Sequence, residues 1–228
     1  MKLQNRFFCF SPPVMLATFV IEIGLLVYTI MRYKLTTTTR LAAALLFFLA
    51  TFQLAEYMSC GSDNFSVWSR IGFVAITALP PLCIHFITSL AGRKSPKIVG
   101  TSYLLGVAFA LLFLIPGAFD NYACTGNYVI FKLVNGLSDA YGYYYYGLLL
   151  LGAALCIHYA PKALPPVRRA LYWQVFGYLS FMIPTAVVYS LNPATVAGVP
   201  SIMCGFAIIY AVTIVFAILP ISKQPTKK

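Results

Sequence analysis

The chain has 228 residues, of which 61% are apolar and only 9% are charged, where a soluble domain carries about 25% charged residues. Sixteen Lys and Arg stand against five Asp and Glu, for a net charge of +11, and the mean hydropathy is +0.84. This balance excludes a soluble enzyme, a disordered tail and a nucleic-acid binder. The basic excess reads instead as membrane topology and contact with anionic lipid.

A spanning helix needs about 20 apolar residues, because the hydrocarbon core is about 30 Å thick. Seven stretches qualify, at about 13–32, 41–60, 68–91, 98–119, 137–160, 169–191 and 199–220. They are continuously apolar and do not alternate, which excludes barrel strands. The first stretch is of full membrane length with no small-residue cleavage site after it, so it reads as a retained helix and not as a signal peptide. Its tenth residue is Glu22, near the midplane. Helix 2 carries Gln53, Glu56 and Tyr57 on one face, by their spacing of three and four. Helix 3 opens with Trp68 and Arg70 and contains Pro80-Pro81; helix 4 contains Pro116. The longest connection, 120–136, leads to helix 5, which opens with Asp139, Tyr141 and Tyr143 to Tyr146. Arg168-Arg169 precede helix 6, Pro184 lies within it, and helix 7 ends eight residues before the last, Lys228. The reading is an all-α, polytopic membrane protein, one seven-helix domain over 1–228. With such short connections, any recognition must occur inside the bundle or at its rims.

Charge sets the expected orientation. The segments between helices 1–2, 3–4 and 5–6, with the C-terminal end, carry Arg32, Lys34, Arg40, Arg93, Lys94, Lys97, Lys162, Arg168, Arg169, Lys223, Lys227 and Lys228. The opposite side carries Lys2, Arg6, Arg70 and Lys132. Twelve against four places the N-terminus outside and the C-terminus in the cytoplasm, in a plasma membrane, with a bacterial inner membrane expected.

Ionisable groups at membrane depth are functional candidates. Asp63 and Asp120 fall in outer loops, while Glu56 and Asp139 lie within about one turn of the outer surface, taking about 3.6 residues per turn. In the helix 2–3 hairpin, Arg70 and Glu56 come to similar depth and are expected to form an ion pair. Such a pair either locks the hairpin or borders an outward-facing pocket floored by Gln53 and Glu56. Glu22 has no basic residue at its depth and is expected neutral. It would donate to Thr77, Gln53 or a carbonyl freed by Pro80-Pro81, or else serve as a proton relay. The prolines interrupt the backbone ladder, and the double proline is a candidate pivot. The tyrosine run supplies an interfacial belt, or a pocket wall in which Tyr143 and Asp139 would suit an organic cation.

Two tetrads, Leu82-Cys83-Ile84-His85 and Leu155-Cys156-Ile157-His158, invite a metal reading. Residues two apart on a helix point in nearly opposite directions, so neither tetrad can close on one ion. His158 is placed to cap carbonyls. No metal and no cofactor are expected. Cys83, Cys156 and Cys204 lie within helices as packing residues. Cys9, Cys60 and Cys124 fall on the oxidising side, where one disulfide is expected, Cys60–Cys124 or Cys9–Cys60. Asn64-Phe65-Ser66 is a glycosylation sequon on that same side, meaningful only in a secretory eukaryotic context.

Several landmarks occur together: Trp68-Ser69-Arg70-Ile71-Gly72, Leu79-Pro80-Pro81, the exit Gly92-Arg93-Lys94, Arg168-Arg169, Pro184 and Gly198-Val199-Pro200. In these the chain resembles the seven-transmembrane N-terminal sensor region of bacterial histidine kinases and cyclases. The resemblance spans helices 1–7. It implies an outward-facing, ligand-binding bundle that signals inward. It also implies a separate cytoplasmic or membrane partner for output, because those proteins continue into an output domain. Retinal proteins, zinc-dependent membrane hydrolases, Pro-Gln sugar transporters and G-protein-coupled receptors fit worse. Helix 7 has no Lys, neither His has a carboxylate beside it, no Pro-Gln dipeptide occurs, and helix 3 ends in Ser89-Leu90-Ala91-Gly92-Arg93.

The expected function is therefore a non-catalytic, sensor-like bundle that takes a small molecule at Glu22, Gln53, Glu56, Tyr57, Arg70, Asp139 and Tyr143, with Pro80 and Pro81 as hinge. The alternatives are a small transporter or proton-coupled carrier using Glu22, and an accessory subunit of a membrane complex. Converging catalytic groups are missing apart from Glu56, Arg70 and Asp139.

Overall fold

A computed structural model describes residues 12–124, 129–134, 136–192 and 198–222. Among them are seven helices long and apolar enough to cross a membrane. They are α1 (Pro12–Arg32), α2 (Thr37–Gly61), α3 (Phe65–Leu90), α4 (Pro96–Leu114), α5 (Leu137–Tyr159), α6 (Pro165–Leu191) and α7 (Val199–Thr213). The last continues through a π-helical segment, Ile214–Ile218, into a final α-turn, Leu219–Ser222. Between α4 and α5, β1 (Phe119–Cys124) pairs antiparallel with β2 (Val129–Leu133).

Local chemistry explains where the helices begin and end. α2 starts four residues earlier than hydropathy suggests, because the Thr36 side chain accepts from the Thr39 N–H and caps the first turn. α6 starts on Pro165, where a proline's missing N–H has no intrahelical role. Helix 4 is corrected: it stops at Leu114 and does not run to 119. Pro116 disfavours helical backbone at Ile115, which is extended (ψ 134°). Gly117 then turns the chain at φ +94°. Pro116 therefore ends α4 instead of kinking it, and the segment after it contains a hairpin that hydropathy did not indicate.

α3 is the central element. Its most apolar stretch is 78% buried, against 17% for α4 at the periphery. It packs on α2, α4, α5 and α6, while α7 packs on α6, α1 and α2 and so closes the bundle. α3 stays helical through Pro80-Pro81. Pro81 has no N–H to give to the Thr77 carbonyl four residues back. The Tyr144 hydroxyl of α5 donates to that carbonyl instead, at 2.6 Å. Such satisfaction by a neighbouring helix is what permits a proline inside a membrane span. α4 fits against this junction because Gly106 is there. A Cβ at that position would lie 2.9 Å from Pro81 Cγ and 3.1 Å from the Tyr144 oxygen.

The hairpin end is sealed by aromatic rings. Phe73 touches Phe113, Phe119, Phe131 and Tyr141 at centroid distances of 4.8–5.9 Å, within the range of productive ring pairs. A disulfide, Cys60–Cys124, ties the hairpin to the end of α2. The alternative partner, Cys9, lies outside the described residues, as do Lys2, Arg6, Lys223, Lys227 and Lys228. At the opposite, basic end the Tyr33 hydroxyl donates to the Val215 carbonyl in the π-helical segment, at 2.9 Å.

Candidate functional site

α1 presents one buried stripe, with Thr18, Glu22 and Thr29 in it, to its neighbours. Met15, Thr18, Glu22, Leu25 and Thr29 recur at intervals of three and four and are buried, while the rest of the helix is largely exposed. Gln53 and Glu56 face this stripe from α2, at 2% and 1% exposure. Ser201 completes the group from the first turn of α7. Its hydroxyl donates to Glu56 Oε1, which places that carboxyl at the positive end of the α7 dipole.

Met15, Thr18, Gln53, Glu56, Ser201 and Gly205 line a cavity of about 10 Å³, close to the space that one water molecule requires. Thr18 Oγ1 spends its proton on its own helix, with the Met15 and Val14 carbonyls at 2.8 and 3.0 Å. The oxygen's acceptor capacity therefore remains. Glu22 lies one turn further along the same face, with 0% exposure, and neither of its carboxyl oxygens has a hydrogen-bond partner. Gln53 Nε2 is likewise buried without a partner. Glu22 and Glu56 are near enough to act on each other electrostatically.

The expected Glu56–Arg70 ion pair is corrected. Glu56 is engaged with Ser201, and Arg70 Nε is buried without a hydrogen-bond partner among the described residues. The cause is helix rotation. α2 meets α3 through Phe52 and Ala55, which press on Gly72; a Cβ there would lie 3.2 Å from Ala55 Cβ. Gln53 and Glu56 therefore point about 100° away, toward α1 and α7. Nor do Tyr57, Asp139 and Tyr143 line the cavity. Tyr57 is half-buried against the core, Asp139 is exposed in the first turn of α5, and Tyr143 is 82% exposed. Tyr141, Tyr144 and Tyr145 face inward, where Phe109 and Phe113 cover Tyr141. Thr77 is not a partner of Glu22: its hydroxyl pairs with that of Tyr141 at 3.0 Å.

A second polar cluster lies deeper, between α3, α6 and α7. Gln174 Nε2 donates to the Tyr210 hydroxyl at 2.6 Å, and Cys83 Sγ lies 3.4 Å from that oxygen. The cluster borders a mostly apolar cavity of about 20 Å³ at the bundle centre, where Cys204 and Met203 also contribute. Gly177 and Gly152 make room for the Tyr210 and Tyr178 rings. The two histidines have separate partners: His85 Nδ1 meets the Tyr103 hydroxyl at 3.2 Å, and His158 Nε2 meets Lys162 Nζ at 3.4 Å.

Sequence reasoning missed Thr18, Ser201 and Gly205. Thr18 had a signal, being four residues before Glu22 on one face. Ser201 and Gly205 had none, because the face that α7 turns to α2 follows from packing. The chain matches no protein-family model and no curated protein.

Proposed function

We propose that the chain is an integral membrane sensor with its disulfide end outside and its basic end in the cytoplasm. A small ligand binds at the Gln53–Glu56–Ser201 cavity, and occupancy passes along α7 to a signalling partner. The observation that carries this reading is the cavity itself. It gathers a carboxyl, an amide and two hydroxyl groups from three helices; Gln53, which lines it, holds an unpartnered Nε2, and Glu22, beyond it on α1, holds two unpartnered carboxyl oxygens. Buried polar groups are nearly always hydrogen-bonded, so unpartnered ones invite a functional explanation.

The orientation rests on two supports. A disulfide belongs on an oxidising face, and the described residues at the other end include Arg32, Lys34, Arg40, Arg93, Lys94, Lys97, Lys162, Arg168 and Arg169. A bacterial inner membrane fits both. The resemblance to seven-helix sensor regions, carried by Trp68-Ser69-Arg70-Ile71-Gly72 and Leu79-Pro80-Pro81, supports the signalling role. α7 suits transmission. It begins at Ser201's turn and ends in a π-helical segment held by Tyr33, and π-helical turns recur at functional sites.

Native mass spectrometry of protein extracted gently from its own membrane tests the reading. The expected result is a stoichiometric protein partner that Glu56→Gln uncouples from ligand while the chain still inserts. A bare chain that holds only lipid would refute it.

One observation favours a second reading, a proton-coupled carrier. Glu22 is fully buried near the middle of α1 with no partner, as a proton-carrying group would be. Flux in vesicles that survives Glu22→Gln removes it.

A further inference from the structure

Buried carboxyl groups need a counter-charge or a proton, because an isolated anion in a low-dielectric interior is unstable by many kcal/mol. Neither Glu22 nor Glu56 has a Lys, Arg or His partner among the described residues. We infer that the Glu56–Ser201 cavity is a binding site for one monovalent alkali cation, sodium in preference to potassium. The inference rests on the reading of this cavity as the functional site, and it is independent of any signalling partner.

Four observations combine. First, oxygen-bearing side chains from three helices meet at a lining that is otherwise apolar, with Val14 and Met15. Glu56, Ser201 and Thr18 supply a carboxyl and two hydroxyl groups, and hard cations choose such ligands. Second, Gln53 lines the same cavity at 2% exposure with its Nε2 unpartnered. Its amide can turn either its oxygen or its nitrogen toward an occupant, the two being interchangeable in shape. Third, the size suits a bare ion. A cavity of about 10 Å³ holds an object no larger than one water molecule. A hydrated magnesium ion, which retains several waters, or an organic ligand would not be enclosed by a space of this size. Fourth, the charge suits one positive unit. Glu56 alone of the two carboxyls lines the cavity; Glu22 sits beyond it. A divalent ion would remain half-compensated. Carboxylate oxygens exert a strong field, which favours the smaller alkali ion.

The occupant would bridge α1, α2 and α7, adding to the Ser201–Glu56 hydrogen bond that joins α7 to α2. Sodium would therefore clamp α7 to the α1–α2 pair. Without it, the first turn of α7 is held more loosely.

The test is binding of radioactive sodium to the purified full chain in lipid nanodiscs at pH 8, with choline as the background cation. Thermal unfolding is followed in parallel in NaCl, KCl, CaCl2 and choline chloride of equal ionic strength. The expected result is saturable binding of one ion per chain, displaced at least about tenfold more weakly by potassium than by sodium, with NaCl alone raising the unfolding temperature. Glu56→Gln should abolish saturable binding, and Gln53→Leu should weaken it at least about tenfold while the Cys60–Cys124 bond still forms. The wild-type measurement decides even where a variant fails to fold. No saturable sodium binding overturns the inference, as does equal competition by potassium or calcium. A stability that follows pH but ignores sodium also overturns it, and makes the group a protonated pair. Sodium binding without a signalling partner would leave this inference standing and remove the sensor reading; a partner without sodium binding would do the reverse.

Discussion

The Thr77 carbonyl is the most exacting test of how this bundle tolerates its double proline. Pro81 cannot donate to it, and the Tyr144 hydroxyl does so at 2.6 Å. Tyr144→Phe removes the donor and leaves a buried carbonyl unpaired. That loss costs about 1–3 kcal/mol in water-soluble proteins, and inter-helix hydrogen bonds inside membranes average about 0.6 with a maximum near 1.7 kcal/mol. The carbonyl here has lost its own helix partner, so the upper part of the membrane range applies, about 1.5 kcal/mol. The decisive experiment is a double-mutant cycle with Pro81→Ala, which restores an N–H to position 81. With that N–H pointing at Thr77, the Tyr144 hydroxyl is no longer the sole donor. Tyr144→Phe should then cost about 0.5 kcal/mol or less, giving a coupling energy near 1 kcal/mol. Reversible unfolding in mixed micelles, measured for the four proteins, reads this directly. Additive effects of the two substitutions would refute the argument that α5 replaces the missing α3 hydrogen bond.

Further expectations can be measured in the same assay. Gly106→Ala should destabilise by about 1–3 kcal/mol, because the new Cβ meets Pro81 and Tyr144 at 2.9 and 3.1 Å; Gly24→Ala, with nothing within 4 Å, should be neutral or slightly stabilising. Reduction of Cys60–Cys124, which are 64 residues apart, should lower stability by at most about 4 kcal/mol by loop-closure entropy; a loss confined to chain insertion and not to unfolding would contradict this. Glu22→Gln should leave stability within about 1 kcal/mol if the carboxyl is held neutral, whereas Glu22→Lys should cost about 2.5–3.5 kcal/mol or more. Tyr33→Phe should cost about 1 kcal/mol, and faster hydrogen exchange in 214–219 should accompany it; unchanged exchange there would show that the π-helical segment does not depend on Tyr33.

The fold was legible where a single physical demand dominates. Hydropathy alone locates seven spans, because a membrane requires length and apolarity of each segment separately. What escaped depends on backbone detail at the ends. Thr36 extends α2 by capping it, Pro165 extends α6, and Pro116 with Gly117 cuts α4 short. Each of these signals is present in the sequence, but a hydropathy window averages over it. The hairpin at 119–133 is different in kind. Its strands are short, and pairing requires the partner strand and the covering rings of Phe73 and Phe113, none of which a local pattern supplies.

The candidate site shows a sharper limit. Spacing correctly put Gln53 and Glu56 on one face of α2, since that follows from 3.6 residues per turn. It could not say which neighbour that face meets. A turn of α2 by about 100° separates a Glu56 that reaches Arg70 from one that reaches Ser201, and the choice is made elsewhere, by Gly72. With no side chain of its own, Gly72 lets Phe52 and Ala55 seat directly on α3. That seating swings Glu56 away from Arg70 and toward α1, which carries Glu22. An ion pair inferred from depth is thus overridden by close packing. Glu56 ends up lining a cavity, with Glu22 beyond it on α1, because a glycine one helix away allows two backbones to touch. Gly72→Leu tests that logic. It should push α2 off α3, weaken the Ser201–Glu56 hydrogen bond, and destabilise the bundle by about 1–3 kcal/mol or more through overpacking. An Ala at position 55 replaced by Gly in the same chain should recover part of that loss by giving the new side chain room; recovery no better than from a distant Ala→Gly change would show that this contact does not set the rotation of α2.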